Sequence, residues 1–124
     1  MKPVLINGEL WKVERVSPNS PFLVDRTGTS KIATTDPGTR VIYISDDVTA
    51  PLLDKVLLHE VAHAITVSHG LLDSLRNSIP DSMWIPVEEW SASLVERHAV
   101  EAAILSSKIL GRPICILGFC LESN

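Results

Sequence analysis

Polar and apolar positions alternate in the first third of the chain and then give way to longer apolar runs. Residues 9–16 alternate with a period of two, which predicts a strand with one buried face. Residues 22–24 are apolar and favour a second short strand. Residues 30–34 and 40–44 are also strand-like, and the Pro-Gly pair between them fits a tight turn. The pattern therefore predicts a β-hairpin that leads toward a helix.

Two long helices are predicted in the remainder of the chain. The first covers about residues 49–69 and is closed by Gly70. The second covers about residues 86–110, where a Gly and a Pro end it. The segment between them, residues 71–84, is polar and contains a proline, so we interpret it as a loop.

The composition describes one modest domain. The 124 residues are 45% apolar and carry a formal charge of −4, with both signs interspersed, so we expect a single domain over residues 1–124 that binds no nucleic acid. We find no signal peptide and no run long enough to span a bilayer, and we expect a soluble, cytoplasmic protein that does not act at a membrane.

The end of the chain is an apolar tail. Residues 114–124 either pack on the core as a strand or meet another subunit of a homo-oligomer. The two cysteines, Cys115 and Cys120, lie in this tail and are expected to be reduced, buried thiols.

A His-Glu-x-x-His motif lies inside the first predicted helix, at His59, Glu60 and His63. Residues four apart lie one turn apart on the same face of a helix, so the two imidazoles can share one zinc ion. Glu60 projects about 100° round the helix from His59, near enough to take a proton from a water that the metal has made acidic. The spacing predicts His59 and His63 as zinc ligands and Glu60 as the catalytic base.

Apolar residues surround this motif on nearly every side of the helix. They are Leu57, Leu58, Val61, Ala62, Ala64 and Ile65. A helix of this pattern is expected to be central, which would bury the imidazoles and the carboxylate. Because a buried polar group without a partner costs roughly 2–7 kcal/mol, a bound metal is favoured over ordinary core histidines.

A catalytic zinc needs a third protein ligand and an open position for water. His69 is one candidate, since it follows His63 by six residues, the spacing of the metzincins. Metzincins have a Gly where this chain has Thr66, and that Gly lets the helix break. If the helix continues, His69 lies about 9 Å further along its axis, so we discount it.

Two neighbouring glutamates at the start of the second helix are the other candidates. Glu88 falls in the middle of the face that also carries Ala92 and Val95. Glu89 lies at the edge of this face. A carboxylate in a core-facing stripe needs a charge partner, whereas one at its edge can simply favour the first turn of a helix. We therefore favour Glu88 as the third ligand and keep Glu89 as the alternative.

The chain resembles the small gluzincin-type zinc metallopeptidases related to ImmA/IrrE proteins, many of which are encoded by phages and mobile elements. The similarity rests on Thr-Asp-Pro-Gly-Thr-Arg-Val-Ile-Tyr-Ile at residues 35–44, Leu-Leu-His-Glu-Val-Ala-His-Ala-Ile at 57–65 and Glu-Glu-Trp-Ser-Ala-Ser-Leu-Val at 88–95. It covers about residues 22–110.

This resemblance implies a fold and a ligand set. The ligand helix of the family typically reads Glu-x-x-Ala-Asn-x-Phe-Ala, which places the ligand on Glu88, with Ala92 in place of the Asn. The implied fold is α+β and minimally zincin-like: a small twisted β-sheet packed on the active-site helix, plus a second long helix. Substrate is expected along an edge strand at residues 40–44.

We therefore expect a zinc-dependent peptidase that hydrolyses a protein or peptide substrate through a metal-activated water, with Glu60 as general base. The developing oxyanion also needs a donor, for which Tyr43, His69 and His98 are candidates among which the sequence does not choose. The alternative is a non-catalytic regulatory or binding protein that retains a structural zinc site.

Overall fold

The computed structural model describes the backbone of residues 1–116 and 119–121 and the side chains of residues 1–105 and 107–113. The strands are β1 (Val4–Ile6), β2 (Glu9–Val16), β3 (Ala33–Asp36), β4 (Val41–Ser45), β5 (Ile114–Ile116) and β6 (Phe119–Leu121). The helices are α1 (Leu52–Ser68), α2 (Leu71–Ser78) and α3 (Trp84–Leu110). The fold class is α+β, as predicted.

Strands β1 to β4 form one mixed sheet in the order β1-β2-β4-β3. β1 and β2 form a hairpin through Asn7 and Gly8, which have φ angles of 48° and 78°. Two positive φ angles give a turn whose twist matches that of the flanking strands, which explains the Asn-Gly pair. β2 runs parallel to β4, and β3 runs antiparallel to β4. The sheet therefore has β3 at one edge and β4 inside.

The predicted hairpin before the first helix is confirmed as β3 and β4, but two neighbouring predictions are wrong. Residues 22–24 do not form a strand, because Pro21–Leu23 is a 3-10 turn in which the Ser20 hydroxyl accepts from the Phe22 N–H. Residues 40–44 are not an edge strand, because β2 pairs with the other side of β4 and all of Val41–Ser45 is buried. The free edge beside α1 belongs to β3.

The hydrophobic core lies between the sheet and α1. Its buried members are Trp11, Ala33, Ile42, Ile44, Val48, Val56 and Ala64. The Trp11 indole is fully buried, and its N–H donates to the Ser68 hydroxyl at 2.6 Å. This bond ties β2 to the end of α1, and it supplies the partner that a buried indole nitrogen requires. The prediction that α1 is the central helix is confirmed.

The segment between the two long helices is not the predicted loop. Gly70, with φ of 68°, ends α1, and α2 begins at the next residue. Leu72 and Leu75 are half-buried while the other residues of α2 except Leu71 are polar, so a short amphipathic helix forms despite the low average hydrophobicity. The Arg76 guanidinium lies 5.0 Å from the centre of the Trp84 ring, which joins α2 to the start of α3.

α3 packs against α1 through its first half, where Ala92 is buried. β5 and β6 pair with each other and, in the described part of the tail, not with the main sheet. The predictions for Cys115, Cys120 and the apolar tail concern side chains outside the described residues and stay predictions. None of the described helices combines the length with the apolar character that a membrane span requires.

Candidate metal centre

The site is formed where α1 and α3 lie beside the edge strand β3. His59 and His63 stand one turn apart on the same side of α1, and their ring centres are 5.0 Å apart. The first turns of α3 bring Glu88 and Glu89 toward these rings. The helix period alone places the two histidines, whereas the packing of α3 on α1 supplies the carboxylates.

Three ligand atoms converge at one point. The Nε2 atoms of His59 and His63 are 3.3 Å apart, and oxygens of the Glu89 carboxylate lie 3.3 Å and 3.2 Å from them. In a tetrahedral zinc site with bonds of about 2.0–2.1 Å, neighbouring ligand atoms are about 3.3 Å apart. Two imidazoles and one carboxylate whose ligand atoms lie within 4.8 Å of one another can hold a metal ion, and zinc takes ligands of these types.

The glutamate at this point is Glu89, whereas the sequence argument favoured Glu88. The exposed fraction of the Glu88 side chain is 7%, and that of Glu89 is 52%. The sequence argument selected the more core-facing carboxylate. A metal site that is open to a cleft needs ligands at the surface of the cleft. Glu89, at the edge of the buried face of α3, meets this condition, whereas Glu88 lies deeper.

Glu88 lies behind His63. Its Oε1 is 3.1 Å from His63 Nδ1, the ring nitrogen that faces away from the converging ligand atoms, and its Oε2 accepts from the Arg26 guanidinium at 2.5 Å. A carboxylate on the second nitrogen of a metal-binding imidazole fixes the tautomer and the orientation of the ring. Glu88 is thus placed to hold the His63 ring in one orientation from the side opposite the converging atoms.

His69 is exposed at the C-terminal end of α1 and does not join this group of atoms. α1 continues through Thr66, whose hydroxyl donates to the Ala62 carbonyl at 2.9 Å, so the helix does not break there. Among the three candidates for the oxyanion donor, His98 is exposed and pairs with Glu101, and Tyr43 is buried in contact with Phe22. Of these three candidates, Tyr43 alone lies in the wall of the cleft.

Glu60 is buried next to the two imidazoles and contacts the edge strand. The Thr35 hydroxyl of β3 donates to Glu60 Oε2 at 2.7 Å. Burial raises the pKa of the Glu60 carboxyl, although the hydrogen bond from Thr35 and the nearby histidines oppose this shift. A raised carboxyl pKa suits a general base that works near neutral pH.

Without metal, the contacts between His63 and the two glutamates shift the pKa values of all three side chains. Burial opposes a charge on His63, but its bonds to Glu88 and Glu89 outweigh burial and raise its pKa to about 9. The bond from His59, followed by that from His63, lowers the pKa of Glu89. For Glu88, burial acts to raise the pKa, but the bonds from His63 and Arg26 lower it overall. Without metal, His63 is therefore doubly protonated and positively charged at neutral pH.

Zinc binding at neutral pH is expected to release this proton, because a metal ligand must give up the proton on its ligating nitrogen. The His63 pKa rises from 6.5 to about 9 on folding, so protonated His63 stabilises the metal-free fold fully below pH 6.5, and this contribution is lost as the pH rises through 9. Because zinc competes with this proton, the apparent zinc affinity should rise by about tenfold per pH unit between pH 6.5 and about 9 and level off above pH 9. Calorimetry in two buffers of different ionisation enthalpy measures the released proton, and its absence at pH 7 would contradict the assignment.

The site opens into a cleft of about 630 Å³. Its walls are residues 31–37, which include β3, residues 21, 22 and 24–26 of the preceding loop, and the facing sides of α1 and α3. The Glu89 side chain is half-exposed on this side, so the ligand atoms are accessible from the cleft. Thr35 of β3, Glu60, both histidines and Glu89 all line this cleft.

Comparison with protein-family models, curated proteins and solved structures found no match for this chain. The assignment of a function therefore rests on the residues of the site. Sequence reasoning placed His59, Glu60 and His63 together, but it did not single out Thr35 or Arg26. No pattern in the sequence links Thr35 or Arg26 to the motif, because each meets its partner only through the fold.

Proposed function

We propose that this protein is a zinc-dependent peptidase of the small gluzincin type that the ImmA/IrrE proteins exemplify. The observation that carries the proposal is the convergence of His59, His63 and Glu89, whose ligand atoms lie within 4.8 Å of one another, beside the buried Glu60 carboxylate. Three ligands of this kind leave a fourth position for water, which is the arrangement of a catalytic zinc site, whereas a purely structural site is closed by a fourth protein ligand.

The resemblance to the family also supports Glu89 when its pattern is aligned one residue later. In this alignment Glu89 takes the place of the ligand in Glu-x-x-Ala-Asn, and Ala92 takes the place of the alanine. Ser93 then stands where the family has Asn. His59, His63 and Glu89 would hold the metal, and Glu88 would support His63.

The reaction assigned to this site is hydrolysis of a peptide bond. When bound, zinc supplies a Lewis acid that lowers the pKa of a water to about 7 and polarises the carbonyl of the substrate. Glu60 accepts the proton of the attacking water on its carboxylate and returns it to the leaving amine. Thr35 holds Glu60 Oε2 through its hydroxyl, so that the base is oriented before substrate binds.

The free edge of β3 provides a binding mode for the substrate. In the described part of the sheet, β3 pairs with β4 alone and its other side faces the cleft. An extended peptide can pair with such an edge through main-chain hydrogen bonds, which bind peptides of many sequences. The substrate class that fits is an unfolded or extended segment of protein.

A cleavage assay tests this proposal directly. The zinc-loaded protein is incubated with an unfolded protein and with a peptide library, and products are identified by mass spectrometry. We expect cleavage that a chelator abolishes and that added zinc restores. Cleavage that persists in the chelator would mean a contaminant or a different mechanism.

The choice between the three candidate ligands predicts an order of zinc affinities. Glu89→Ala removes a ligand and should weaken zinc binding most. Glu88→Ala removes the support of His63 and should weaken it by about 10–100-fold. His69→Ala changes an exposed residue outside the site and should leave the affinity unchanged. Competition with a chromophoric chelator measures all three, and a larger loss in Glu88→Ala than in Glu89→Ala would return the ligand role to Glu88.

A further inference from the structure

Arg26 reaches the metal centre from the rim of the cleft. It lies on the loop between β2 and β3, and its guanidinium donates to Glu88 Oε2 at 2.5 Å. The other oxygen of the same carboxylate is 3.1 Å from His63 Nδ1. Arg26, Glu88 and His63 thus form a continuous chain of polar contacts that ends on a proposed zinc ligand.

The loop that carries Arg26 is internally bonded. The Asp25 carboxylate accepts from the backbone N–H groups of Thr27 and Thr29 at 2.9 Å and 3.0 Å, and from the Thr27 hydroxyl at 2.6 Å. Val24 and Ser30 close the loop through an antiparallel bridge. The backbone at Arg26 is therefore fixed from both sides, which reduces the entropy lost when its long side chain is held in one position.

We propose that Arg26 is a positioning residue of the metal centre, which fixes Glu88 so that His63 presents Nε2 to the metal. The inference rests on the proposed metal centre and is independent of whether that centre cleaves peptides. It assigns no contact between Arg26 and the metal, because Arg26 acts through Glu88.

The charge of the buried Glu88 carboxylate explains why a cationic side chain is needed at position 26. Glu88 is buried, and its cationic partners among the described residues are Arg26 and His63. When His63 binds a metal through Nε2, its ring keeps one proton, on Nδ1, and is neutral. Arg26 then remains as the positively charged side chain in direct contact with this buried carboxylate, and a buried charge without a partner is costly.

The arrangement of contacts around the Glu88 carboxylate gives a second reason for an arginine at position 26. With Arg26 on Oε2 and His63 on Oε1, the carboxylate of Glu88 is held at both oxygens, which opposes its rotation away from His63. The guanidinium is planar and binds carboxylates in a defined orientation, whereas a lysine ammonium provides the same charge without the plane. Arg26→Lys should therefore restore part of the function that Arg26→Met removes.

The chain offers a matched control in Arg40. Its side chain is 46% exposed, as is that of Arg26, and it pairs with a glutamate, Glu9. Arg40 does not line the cleft. Replacing Arg40 by Met removes an arginine of the same exposure and its ion pair with a glutamate, at a position away from the metal centre.

The test measures zinc affinity in the purified full chain by competition with a chromophoric chelator. We expect Arg26→Met to weaken zinc binding by about 10-fold, within the range of 10–100-fold typical of residues behind a metal ligand. Arg26→Lys should fall between wild type and Arg26→Met, and Arg40→Met should match wild type. In the double variant of Arg26→Met with Glu88→Gln, the affinity should be no lower than in Glu88→Gln alone, because Arg26 acts through that carboxylate.

A second readout separates positioning from a general loss of stability. Nitrogen-15 spectra of the zinc-loaded wild type should show a hydrogen-bonded proton on His63 Nδ1, and this signal should shift in Arg26→Met but not in Arg40→Met. Equal affinities and unchanged His63 signals in Arg26→Met would overturn the role of Arg26 while the metal centre stands. Additive losses in the double variant would also overturn it. A wild type that binds no zinc would overturn the metal centre and this inference together.

Discussion

Zinc is expected to bind to the wild-type protein at about one ion per chain and to be lost in both His59→Ala and His63→Ala. Each substitution removes one of three side chains whose ligand atoms lie within 4.8 Å of one another, and neither helix offers a further described side chain in the group that could replace it. Elemental analysis of protein purified without chelator measures the metal content. Stoichiometric zinc in the double variant would contradict the assignment of the site.

Thermal stability should also show the loss of zinc binding in the double variant. A ligand at 100 times its dissociation constant stabilises the fold by about 2.7 kcal/mol when it binds only the folded state. Added zinc should therefore raise the melting temperature of wild type and leave that of the double variant unchanged. His98→Ala is the control, because His98 is exposed, pairs with Glu101 and lies outside the cleft.

Glu60→Gln is expected to abolish most of the peptidase activity while zinc binding stays near that of wild type. The glutamine keeps the size of the side chain and can still accept a hydrogen bond from Thr35, but it cannot take a proton from water. The loss should be about 10²–10⁴-fold in kcat, the range typical of removing a general base. The measurement is chelator-sensitive cleavage, with zinc content determined on the same samples.

Glu96→Gln is the matched control for this substitution. Glu96 also lines the cleft from α3, and its side chain is largely buried. Its ion pair is with Arg97 rather than with either histidine or Glu60, so its neutralisation should leave kcat within a few-fold of wild type. Equal cleavage by wild type and Glu60→Gln would remove Glu60 from the mechanism. A zinc-loaded wild type that cleaves nothing while its biological effect survives Glu60→Gln would favour a non-catalytic regulatory protein.

Local patterns predicted most of the elements that build the site. The alternation of residues 9–16 predicted β2, and the Pro-Gly pair predicted the hairpin of β3 and β4. The predictions failed where the local signal is weak. The polar composition of residues 71–84 conceals α2, and β1, with three residues, is too short to show the alternation that predicts a strand.

The sequence by itself determined the part of the site that lies on α1. His59, Glu60 and His63 belong to one helix, and 3.6 residues per turn fix their relative directions whatever the helix packs against. The apolar residues around them were enough to predict that this helix is central. These two inferences need no knowledge of the rest of the fold.

Only the tertiary structure decided which other residues meet the motif. Glu88 and Glu89 differ by about 100° of rotation on α3, so the way α3 lies on α1 determines which carboxylate meets the two Nε2 atoms and which lies behind His63. Thr35 reaches Glu60 across 25 residues of sequence, and Arg26 reaches Glu88 across 62. Such contacts depend on the packing of whole elements, since no helix or strand period relates residues so far apart in the chain.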